Sequence, residues 1–156
     1  MPSNQPAARP PRRYVRAVGP RLRWLLRAVF ALVAVLGANS VYLLAITCLE
    51  WLRGLSYQNY FYQLMFLAHL ALGLLLVVPF LVFCVAHIRN TRGRTNRRAV
   101  RVGWLLFGVS LVVLVSGVAL MRVGGFDLKH PLGRSVAYWA HVLAPVLAVW
   151  LYVLHR

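Results

Sequence analysis

The chain has 156 residues, 61% of them apolar, with 18 Lys and Arg against two acidic residues and a formal charge of +16 at pH 7. With a mean hydropathy of +0.69, this composition suits one soluble domain or a small membrane bundle, and the two acids, Glu50 and Asp127, both read as outer-loop residues and form no catalytic constellation. The apolar residues gather in four runs, at about 24–49, 62–88, 102–121 and 135–155, each long enough to cross roughly 30 Å of hydrocarbon as a helix. Backbone groups in hydrocarbon must be bonded within their own helix, so an all-α integral membrane four-helix bundle running up-down-up-down follows.

Residues 1–22 form a basic, Pro/Arg-rich arm carrying Arg9, Arg12, Arg13, Arg16 and Arg21, expected to be mobile and to lie near anionic lipid headgroups. Nucleic acid is not expected as its partner, because no binding fold accompanies it. The first apolar run is too long for a cleavable signal peptide and lacks a convincing cleavage site. Span one contains no acid or histidine; Gly37 and Ala38 offer a close-packing spot, and its role reads as structural. Trp51, Tyr57, Tyr60, Phe61 and Tyr62 then read as an aromatic belt at the outer surface. A quinone ring among them is the lesser reading.

Span two carries His69 and His87, eighteen residues apart with Pro79 between them. At about 100° and 1.5 Å per residue, both imidazoles fall on one face, about 27 Å apart along a straight helix. Arg89, Arg92, Arg94, Arg97, Arg98 and Arg101 fill the next loop, whereas the other loops carry Arg53 and then Arg122, Lys129 and Arg134. The positive-inside bias therefore places both termini and the middle loop in the cytoplasm. Within span three, Gly103 and Gly117 stand fourteen residues apart. Glycine in a helix costs about 1 kcal/mol relative to alanine, so the pair suggests two places where something bulky approaches the backbone, with small-residue helix packing as the competing reading.

Span four repeats the fourteen-residue interval, between His141 and His155. Fourteen steps fall about 40° short of four turns, so these imidazoles also share a face, about 21 Å apart. By depth, His69, His141 and Gly117 belong to the outer half and His87, His155 and Gly103 to the inner surface. His130, just before Pro131, reads as a surface residue. Cys48 and Cys84 lie toward opposite faces and read as small apolar residues; no C-x-x-C-H is present for covalent haem attachment.

These histidines and glycines resemble the haem-binding core of the cytochrome b family of quinol-oxidising bc-type complexes. There the second and fourth helices supply two histidines each, while glycines on the first and third admit the macrocycles. The likeness rests on His69, His87, Gly103, Gly117, His141 and His155; span one departs from the pattern, since Gly37 has Arg23 and Trp51 at fourteen residues on either side. The resemblance implies a haem-binding domain over 23–156 with haem b, two per chain or one, held by His69 with His141 near the outer face and His87 with His155 near the inner. Arg122 and Arg134 would meet outer propionates. It further implies transmembrane electron transfer between a quinone/quinol pool and a redox partner such as a c-type cytochrome or iron–sulfur protein, in a bacterial-type inner membrane.

A small multidrug-type transporter would be expected to carry an intramembrane acid, and none is present. Zinc or copper fits poorly, because four nitrogens spread over about 20 Å cannot share one ion. A non-haem membrane anchor or assembly subunit is the remaining alternative. An anchor has no reason to align the histidine pairs.

Overall fold

The computed structural model describes residues 17–91, 96–121 and 128–156. Arg92, Arg94, Arg122 and the arm as far as Arg16 lie outside the described residues. Four helices follow in order: α1 Pro20–Arg53, α2 Tyr60–Thr91, α3 Arg97–Leu120 and α4 Pro131–His155. Each is long and apolar enough to cross a membrane, and there is no strand among the described residues.

The helix ends follow from local chemistry and overrun the apolar runs. Pro20 occupies the first turn of α1, where its missing N–H is no loss. The far end is closed by Gly54, whose φ of 67° permits the left-handed cap that returns its N–H to Glu50 O. Asn59 Oδ1 accepts from Tyr62 N at 2.9 Å to start α2, and Asn96 Oδ1 accepts from Ala99 N at 3.1 Å to start α3. His130 is exposed and caps α4, its Nδ1 accepting from Gly133 N at 3.4 Å. The segment beginning at Glu50 is therefore not all loop: α1 continues to Arg53, and the Glu50 carboxylate accepts the N–H of Tyr57 at 2.8 Å across the turn.

The helices run alternately up and down. One end of the bundle holds Pro20, Thr91, Arg97 and His155; the other holds Arg53, Tyr60, Leu120 and Pro131. They associate as two hairpins, α1 with α2 and α3 with α4, and no Cα of α2 lies within 8 Å of one in α4 among the described residues. In the first hairpin Asn39 is buried and its Nδ2 donates to Met65 O at 2.9 Å, while Tyr42 meets Phe61 edge-on at 5.2 Å. This corrects the expectation for Gly37 and Ala38: both face outward, with nothing within 4 Å of a Cβ at Gly37, and the α1–α2 seam runs through Asn39 and Ser40 instead. Phe30 and Tyr152, 5.3 Å apart, bridge α1 to α4.

Large apolar side chains point outward along every helix, among them Trp24, Leu75, Val115 and Val146. Among the described residues the buried apolar ones are Val29, Leu76, Ala144 and Leu151. Water would penalise such a surface at about 25 cal/mol per Å²; lipid tails do not, so outward apolar bulk around a slender interior is the arrangement a bilayer permits.

Candidate functional site

The interior between the hairpins is spanned by imidazoles. His69 of α2 and His141 of α4 have ring centres 6.0 Å apart with planes at 81°. Toward the other end, His87 and His155 are 6.2 Å apart with planes at 80°. The pairing is the one expected from depth in the sequence, and all four rings are half-buried. Eighteen residues on α2 thus match fourteen on α4. Both helices carry a proline between their histidines, Pro79 in α2 and Pro145 in α4, each removing one backbone hydrogen bond from its helix.

An imidazole nitrogen sits about 2 Å from a transition metal, so two rings binding one ion from opposite sides hold their centres about 6 Å apart. Edge-to-face aromatic contacts span roughly 4.5–7 Å, so orientation decides between the two readings. His141 Nδ1 lies 3.0 Å from Val113 O, and His155 Nδ1 lies 3.1 Å from Ala99 O. A carbonyl only accepts, so each Nδ1 carries the proton and each Nε2 keeps its lone pair. Metal-binding histidines are held in this way, with the second ring nitrogen tied to an acceptor that fixes tautomer and direction.

Both carbonyls belong to α3, and so do the two glycines. A Cβ at Gly117 would stand 2.9 Å from His141 Cε1, and one at Gly103 would stand 2.9 Å from His155 Cε1. The group packed on these glycines is therefore the imidazole from α4, where the resemblance had implied a macrocycle. In α2, Phe83 stacks on His87 one turn away, with centres 5.5 Å apart and planes 12° apart. His69 Nδ1 lies 3.4 Å from Ser40 Oγ on α1.

Arg134 is half-buried in the first turn of α4, two turns before His141. Arg122 falls outside the described residues. Sequence reasoning missed Ser40, Ser116, Phe83 and the carbonyls of Ala99 and Val113. Of these, Ser116 had a signal, because it directly precedes Gly117.

Among the described residues no three His, Cys, Asp or Glu side chains converge on a common point. Each pair supplies two nitrogens, too few for a closed tetrahedral zinc site. Each pair could hold a group that needs two nitrogen ligands from the protein. No protein-family model, curated protein or solved structure matches the chain.

Proposed function

We propose that this chain is a membrane-embedded b-type cytochrome that carries electrons across the bilayer between a quinone/quinol pool and a partner redox protein, with two b haems. The residues fit the group on three counts. At both levels the two ring centres stand about 6 Å apart, the separation one iron between them would require. Nδ1 of His141 and of His155 is tied to an α3 carbonyl, which leaves Nε2 for the metal. No Cα of α2 lies within 8 Å of one in α4 among the described residues, so the backbones themselves do not close the gap that the imidazoles span. The single observation that carries the reading is that the same Nδ1-to-carbonyl tie recurs under both α4 histidines.

His69 with His141 and His87 with His155 would be the axial ligands. A haem so held supplies one-electron chemistry with no open coordination position, which suits electron transfer over oxygen activation. The protein's part is to fix four ring orientations and exclude water. Arg134 and residues of the arginine-rich end would stabilise propionates. That end would face the cytoplasm, since the positive-inside bias assigns it there, and the membrane would be of the bacterial inner type. A redox partner such as a c-type cytochrome or an iron–sulfur protein would exchange electrons at one surface.

A non-haem anchor gives no account of aligned pairs with seated rings. The test is haem content in single alanine variants of the full chain. His69→Ala and His141→Ala should each remove one haem and spare the other, and His87→Ala and His155→Ala should remove the second. Retention of both haems in all four variants would contradict the assignment.

A further inference from the structure

We propose that Ser40 and Ser116 are positioning residues for the His69/His141 pair, fixing the tautomer of both imidazoles and lowering the reduction potential at that level alone; this rests on the haem reading above. The argument is one of protons. A serine hydroxyl has one proton to donate and two lone pairs to offer. Ser40 Oγ donates its proton to Leu36 O at 2.7 Å. Ser116 Oγ donates to Val112 O at 2.6 Å, with Val113 O also near at 3.1 Å. Both protons are committed to the serine's own helix, one turn back.

What each hydroxyl turns toward the neighbouring histidine is therefore a lone pair. Ser40 Oγ lies 3.4 Å from His69 Nδ1, and Ser116 Oγ lies 3.3 Å from His141 Nδ1. For these contacts to be hydrogen bonds each Nδ1 must carry the proton, which leaves each Nε2 with its lone pair. His69 thus receives its acceptor from α1 and His141 from α3, the latter with Val113 O as a second acceptor. Ser116 is itself buried, so its dipole acts where water does not screen it. At the other level His155 Nδ1 meets the backbone carbonyl of Ala99, an acceptor no substitution removes.

An acceptor on Nδ1–H makes imidazole a stronger donor to its metal, which favours oxidised over reduced iron. Removing the acceptor therefore raises the potential. The effect should be larger at Ser40 than at Ser116, because His141 retains Val113 O when Ser116 is lost.

The experiment is a potentiometric titration of the purified full chain, followed in the visible α-band, for Ser40→Ala, Ser116→Ala and the double variant. The centre missing from His141→Ala identifies the level concerned. At fixed ambient potential its reduced-to-oxidised ratio should rise about threefold to tenfold, tenfold being about 59 mV for one electron. The other centre should stay put, and Ser40→Thr and Ser116→Thr should restore the original value. Selective loss of the His69/His141 haem in the alanine variants, with the second haem kept, also supports the proposal. Unchanged potentials with both haems bound, or equal shifts at both levels, overturn it while leaving the proposed function standing. A parent chain that binds no haem overturns both.

Discussion

Gly117 and His141 form a seat and its occupant: a Cβ at position 117 would come within 2.9 Å of the imidazole Cε1 and 3.3 Å of Nδ1. Real Cβ atoms do not tolerate the shorter distance, and the ring is held against Val113 O at 3.0 Å. Alanine at 117 should therefore swing the imidazole out of line with His69. Overpacking of this kind typically costs about 1–3 kcal/mol. We expect Gly117→Ala to lower occupancy of the haem proposed at His69/His141 and Gly103→Ala that of the haem proposed at His87/His155, each by about half or more. Pyridine haemochrome quantitation of each variant checks it. Gly37→Ala, where a Cβ meets nothing within 4 Å, is the control and should leave both haems in place.

The ring planes within each pair are nearly perpendicular, 81° and 80°. Were the rings to hold an iron at these angles, its two orbitals that accept imidazole π-density would be almost equal in energy. The oxidised protein should then give low-spin resonances with a large principal g value, and not the rhombic triplet of parallel planes. Low-temperature electron paramagnetic resonance reads this directly. A rhombic triplet alone would mean that the rings turn parallel when iron binds.

Asn39 donates to Met65 O at 2.9 Å, yet its buried Oδ1 has no hydrogen-bond partner among the described residues. Leucine at this position loses one hydrogen bond and also removes an unsatisfied acceptor, two effects of similar size, about 1 kcal/mol each, and opposite sign. Asn39→Leu should thus change stability by less than about 1 kcal/mol, measured by thermal unfolding in detergent. A loss of several kcal/mol would show that Oδ1 is bonded in the membrane.

Arg21, Arg23, Arg89, Arg97, Arg98 and Arg101 lie at one end of the bundle, and Glu50 at the other. In a chain with Cys48 and Cys84 replaced by serine, a membrane-impermeant maleimide should label Ser56→Cys in intact cells. Arg98→Cys should label only after the cells are opened. The reverse pattern would invert the topology drawn from the positive-inside bias.

The four helices were legible in the sequence because hydropathy reports the solvent of each span directly. Their ends were less so: α1 reaches Arg53 and α3 starts at Arg97 because caps and prolines, not apolar residues, set where a helix stops. The pairing of His69 with His141 and of His87 with His155 was legible from periodicity and depth. Which group approaches Gly103 and Gly117 was not, since spacing within α3 cannot say what its neighbour presents. Ser40 was hidden for a similar reason: its value lies in standing opposite His69 on another helix, a relation that no spacing within either span encodes.

The central claim is that the two imidazole pairs hold two haems, and the most direct measurement is the visible spectrum of the detergent-purified full chain, oxidised and dithionite-reduced, with haem counted as the pyridine haemochrome. We expect a sharp reduced α-band of b type and about two haems per chain. About one haem would confine binding to a single pair. No Soret band after expression with ample haem would contradict the claim and leave a membrane anchor as the better reading of the chain.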